Sequence, residues 1–73
     1  MAEARNVLAV KLLADSGKAV MNAGQVDMNN PKNTIMIGQI LDNQKFRDIT
    51  TSKSASEILN VANDENKRKQ IFT

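Results

Sequence analysis

From Glu3 to Ala23 the chain runs without proline and is rich in alanine and leucine, which predicts a helix over residues 3–23. On a helical wheel Lys11, Asp15, Lys18 and Asn22 fall within about 60° of one another, at spacings of four, three and four. Val7, Leu8, Val10, Leu12, Leu13, Val20 and Met21 spread over most of the remaining circumference. A helix apolar on nearly all sides is buried on several sides. A chain of 73 residues has little else with which to cover it. Ala2, Ala4, Ala9, Ala14, Ser16, Gly17, Ala19 and Ala23 also lie on this segment. Two readings stand for these small residues. They permit close approach of a second helix, or they reflect high helix propensity around a tolerated Gly17.

The rest of the chain divides at its turn residues. Residues 24–30 read as a loop, with Gly24 placed as a helix C′ residue. Asn30-Pro31 is an N-cap followed by proline at the first helical position, where the missing N–H costs nothing. A second helix is predicted over about 31–46. Its apolar face is Met36, Ile37, Ile40 and Leu41, within about 140°, and Gln39, Asp42 and Asn43 lie opposite. Thr34-Ile35-Met36-Ile37 also suits a short buried strand. The cap and the continuation of the pattern to Leu41 favour helix. Thr50-Thr51-Ser52 is expected to interrupt helix within residues 47–53. Ser54-Ala55-Ser56-Glu57 matches a capping box, which starts a third helix over about 55–63 with Ala55, Ile58, Leu59, Val61 and Ala62 inward. Beyond it Asn63-Asp64-Glu65-Asn66 breaks the period. Residues 64–73 are then a polar extension, reaching about residue 71, or a frayed tail anchored by Ile71 and Phe72. Nine asparagines, mostly near predicted element ends, suit a chain rich in caps and turns. The expected fold is all-α: one domain over residues 1–73, a helical hairpin or small open bundle completed by partner chains.

Composition restricts the chemistry. The chain has no Cys, His, Trp or Tyr. That removes disulfides, thiol nucleophiles, Cys/His zinc sites and imidazole acid–base catalysis. No phosphate-binding glycine loop, HExxH or GxSxG pattern occurs. Asp42 with Asp48, and Asp64 with Glu65, read as solvated surface carboxylates. No enzymatic activity, metal or cofactor is expected. A small domain without staples gains stability from a partner. The formal net charge is +2, and Lys67-Arg68-Lys69 is the one local cluster of bases, with Asp64 and Glu65 a turn away to offset it. Missing Trp and Tyr leave little for stacking on single strands. Val7-Leu8-Ala9-Val10 meets Lys11 at once, so neither a secretory signal nor a transmembrane span is expected, which fits a cytoplasmic or virion location and leaves leaderless export open. A membrane-surface helix over 3–23 is disfavoured by Asp15 and the scarcity of lysine in the polar stripe.

Two local resemblances accompany this reading. Thr51-Ser52-Lys53-Ser54-Ala55-Ser56-Glu57-Ile58-Leu59-Asn60-Val61 resembles the first helix and turn of small excisionase-like or repressor-like helix-turn-helix proteins. The resemblance implies DNA binding through residues 51–72, with Lys67, Arg68 and Lys69 as the contacts. The sequence departs from that pattern at Asn66, where an apolar residue is due. Two helical regions about a central Asn30-Pro31 are similar to the small subunits of type III secretion needles, which implies a hairpin bend there, although the C-terminal half lacks a long apolar stripe. The leading expectation is a non-enzymatic assembly subunit of the phage-particle, tail or secretion-appendage type, homo-oligomeric or part of a larger assembly. Its partner interface is expected at Val7, Leu8, Leu12, Leu13, Val20 and Met21, with Ile37, Ile40 and Leu41 as a second surface.

Overall fold

The computed structural model describes residues 2–71. Their order is α1 (Ala2–Asp15), β1 (Met21–Asn22), β2 (Gln25–Val26), α2 (Pro31–Asp42), α3 (Gln44–Thr51), α4 (Ala55–Ala62) and α5 (Glu65–Lys69). The protein is predominantly helical, as the sequence pattern predicts. It has five helices among the described residues rather than three, plus a two-stranded hairpin that the all-α expectation lacks.

The long first helix is the main correction. It stops at Asp15 rather than Ala23. Gly17 sits at φ +75, the left-handed conformation that closes a helix C-terminus. The Ser16 hydroxyl donates to the Leu13 carbonyl at 2.6 Å, and the Ser16 amide donates to Leu12 and Leu13. The last-turn carbonyls are thus satisfied, and nothing draws the helix onward. Residues 21–26 form an antiparallel hairpin with Met21 opposite Val26 and Asn22 opposite Gln25. Its two-residue turn is Ala23-Gly24, both at positive φ (53 and 80), as a tight hairpin requires. Gly24 is therefore a turn residue and not a helix cap.

The second expected helix is two. Asn30 caps α2 by accepting from the Lys32 amide at 2.9 Å, with Pro31 in the first turn. Residues 34–37 are helical. Asn43 then adopts an extended conformation (φ −65, ψ 128) and its side chain accepts from the amides of Lys45 and Phe46. One asparagine ends α2 and starts α3. The expected break at residues 47–53 comes later, at Ser52, because Thr50 and Thr51 turn their hydroxyls back onto the carbonyls of Phe46 and Arg47. A threonine that donates to the preceding turn needs no solvent, so Thr50 is fully buried beside Phe46. Ser54 caps α4 as predicted, accepting from the Glu57 amide at 3.3 Å. The Ser54 hydroxyl donates in turn to the Glu57 carboxylate at 3.3 Å, so Glu57 reaches back to the cap side chain rather than to its amide. Asp64 caps α5 through the amides of Asn66 and Lys67, so residues 65–69 are helical. Ile71 is buried, as an anchor should be, while Phe72 lies outside the described residues.

α1 is the hub, packed by α2 and α4. Ala4, Leu8, Ala9, Leu12 and Leu13 are its buried face, at successive spacings of four, one, three and one along one stripe. Ile37 from α2, Phe46 from α3, Ile58 and Ala62 from α4 and Ile71 complete the core. Of the residues expected inward on α4, Leu59 faces out at 38% exposure. The radius of gyration is 11.6 Å, near the roughly 11 Å of a folded chain of this length. The chain therefore covers α1 with its own short helices. Among the described residues no helix is long and apolar enough to cross a membrane.

Ala23 carries a side chain where the backbone is left-handed, which costs roughly 1–2 kcal/mol. Asparagine tolerates this conformation and Asn-Gly is the preferred two-residue turn. Ala23→Asn is expected to raise stability by about 1 kcal/mol, read as a higher urea midpoint at unchanged slope.

Candidate functional site

The hairpin is positioned by a buried asparagine. Asn33, in the first turns of α2, is fully buried. Its Oδ1 accepts from the Val20 amide at 2.9 Å, and its Nδ2 donates to the carbonyls of Val20 at 2.8 Å and Asp27 at 2.7 Å. Val20 and Asp27 also pair directly, the Asp27 amide donating to the Val20 carbonyl at 3.0 Å. The carboxamide thus grips both arms of the hairpin just before its strands. Asp27 adds a local turn by accepting from the Asn29 amide at 3.0 Å, which leads into the Asn30 cap.

Held this way, the hairpin lies beside α1, and the two frame a groove of about 370 Å³. Val10, Lys11 and Ala14 line it from α1, and Met21, Gly24, Gln25, Val26 and Met28 from the hairpin and the loop after it. Met21 and Met28 are 50% and 55% exposed, far above the core side chains. Lys11 is the groove's one charged lining residue. The walls are otherwise apolar or neutral. Among the described residues no group of three or more acidic, His or Cys side chains could hold a metal ion.

The expected interface residues are dispersed by the fold. Leu8, Leu12, Leu13 and Ile37 are buried in the chain's own core and do not form the outer surface that the wheel assigns to them. Val7, Ile40 and Leu41 are half-buried and pack against that core. Val20 is half-buried in the turn after α1. Met21 alone of the set is exposed, on β1 rather than on a helix. Met28, Val26 and Val10 join it in the groove, although residues 24–30 read only as a loop in the sequence.

The basic cluster is likewise divided. Lys67 and Lys69 are exposed, and Lys69 lies 3.4 Å from Glu65 in an i, i+4 pair. Arg68 turns inward. Its Nε donates to Asp15 at 2.6 Å, one Nη to the same carboxylate at 3.2 Å and the other to the Ala62 carbonyl at 2.7 Å. The hydrogen bond to Asp15 raises the guanidinium's pKa above its ordinary value, partial burial opposes this, and the charges of Asp15, Glu65 and Asp64 reinforce it. α4, the Asn63-Asp64 turn and α5 do follow the order of a helix-turn-helix. However, α5 is five residues long and its arginine, Arg68, is engaged within the chain. Asn66 is exposed, and Ile71 supplies the apolar return instead. The needle-like plan is not seen either, since a hairpin precedes Asn30-Pro31 and, among the described residues, three short helices follow α2. Comparison with protein-family models, curated proteins and solved structures finds no match to this chain.

The Arg68–Asp15 pair ties α5 to the end of α1, with side chains 13% and 35% exposed. Asp15→Ala is expected to cost about 1 kcal/mol. Arg68→Ala should cost more, because the Ala62 carbonyl loses its donor as well. A double-mutant cycle in urea, repeated at high salt, should show a coupling that shrinks with ionic strength.

Proposed function

We propose that this protein is a non-enzymatic interaction subunit that docks a protein partner, in a homo-oligomer or a larger assembly, through the groove between α1 and the hairpin. The observation that carries the reading is the pair of half-exposed methionines, Met21 and Met28, on one apolar groove. Exposed apolar side chains scattered singly are ordinary, whereas grouped ones mark contact surfaces. Methionine is unbranched and polarizable, so it moulds to a partner at small cost. The left-handed Ala23 at the hairpin tip supports the same site, because strained backbone persists where a loop's shape serves binding. In this reading the first helix contributes Val10, Lys11 and Ala14 in place of the expected Val7, Leu8, Leu12 and Leu13. DNA contact through residues 51–72 is less favoured, because Arg68 is held by Asp15 and Lys69 is offset by Glu65.

The test compares the wild-type chain with Met21→Glu/Met28→Glu. Both side chains are exposed, so the folded chain should lose no more than about 0.5 kcal/mol per substitution. Sedimentation across concentration should show self-association in the wild type that the double variant lacks. If the wild type sediments alone as a monomer, a partner isolated from the source cells should bind it and release the double variant. Equal behaviour of the two chains in both measurements would contradict the proposal.

A further inference from the structure

A second, smaller cleft lies between α1, the end of α2 and α3. It has a volume of about 220 Å³ and is lined by Arg5, Asn6, Leu41, Phe46, Arg47 and Thr50. Two guanidinium groups and one carboxamide therefore face a partly apolar wall, and no carboxylate is among the lining residues. Neither arginine is in an ion pair with a described residue. The Nε of Arg5 is buried and meets no acceptor from the described residues. A buried charged donor without an acceptor is costly, and in a folded protein such a group calls for an explanation such as an ion. The Thr50 hydroxyl donates to the carbonyls of Phe46 and Arg47 and accepts nothing from Arg5 Nε.

We infer that Arg5 and Arg47 form a binding site for a phosphoryl oxyanion. A guanidinium presents its donors in a planar fork that matches the oxygens of phosphate, and two forks from different helices match a group with several acceptor oxygens. The cleft is smaller than the roughly 300–1,000 Å³ that take a drug-sized ligand, so it fits a single small anion or one group of a larger molecule. Asn6, exposed at the rim, adds a neutral donor. The phosphate is free in solution or carried by a nucleic-acid backbone. This site is separate from the Lys67–Lys69 cluster and from the methionine groove, and stands independently of the proposed docking function.

The experiment is a titration of the full chain, followed by nitrogen–proton NMR, with inorganic phosphate at constant ionic strength. The Arg5 Nε–H and the amides of Asn6, Phe46 and Arg47 should shift together and saturate, with a dissociation constant of about 1 mM or lower. Arg47 is exposed, so Arg47→Gln should keep the fold while weakening binding about tenfold or more. Arg5→Lys retains the charge and removes the Nε donor, and it should also weaken binding. Lys67→Gln should change nothing. A second arm uses a short DNA duplex. Shifts at the same resonances with the same dependence on Arg47 assign the phosphate to a nucleic-acid backbone; phosphate binding without duplex binding assigns it to a free anion. Shifts that fail to saturate with either probe, or that survive Arg47→Gln, overturn the site.

Discussion

The carboxamide of Asn33 makes three hydrogen bonds in a fully buried position, all to backbone groups of Val20 and Asp27. An asparagine side chain carries the same donor and acceptor as a peptide group, so it acts as a short piece of extra strand between α2 and the hairpin. Buried backbone N–H and C=O groups must be paired. Without Asn33 the Val20 amide would lose its partner at the foot of the hairpin, and the Asp27 carbonyl would keep only the Asn30 amide. A two-stranded hairpin of this length is marginal by itself. Its orientation therefore depends on the side chain that holds its base. The groove depends on it in turn, since five of its lining residues belong to the hairpin or the loop after it.

Much of the helical plan was legible, and the parts that were not share a cause. Asn30-Pro31 and Ser54 announce helix starts because each combines a side-chain acceptor with residues suited to the first turn, and both work that way in the structure. Gly17 was harder to weigh. Glycine is tolerated within a helix at modest cost, so its role was decided by whether the next residues had a better place to go. Here they did: Val20 meets Asn33, a contact across 13 residues that no local pattern records. Asn43 was hidden for a similar reason. It lies on the polar face of α2, where an asparagine is unremarkable, and only its extended backbone turns it into a cap. Thr50 and Thr51 looked like a break because their hydroxyls compete with backbone groups, yet both hydroxyls found acceptors within their own helix.

The site was less legible than the fold. A wheel drawn through Ala23 gives Val20 and Met21 helical directions that they do not have. Once α1 ends at Asp15, its remaining apolar residues form one ordinary buried stripe. The apparent excess of apolar surface, which argued for partner chains around that helix, is absorbed by α2, α4 and the residues near Ile71. What remains exposed is smaller and more specific: Met21 and Met28 beside Val10 and Val26. The missing histidine and cysteine still limit the chemistry, and the argument for an interaction surface now rests on this groove rather than on an uncovered helix.

The central claim is that Asn33 fixes the hairpin, and hence the groove, as part of the folded core. Amide hydrogen exchange at Val20 measures this directly, because that amide donates to the Asn33 carboxamide and to no other group. The account predicts that Val20 exchanges as slowly as the amides of the buried stretch of α1, and that Asn33→Ala accelerates it by orders of magnitude beyond any change in the α1 amides. A Val20 amide that exchanges as fast as those of the exposed loop residues in the wild-type protein would contradict it.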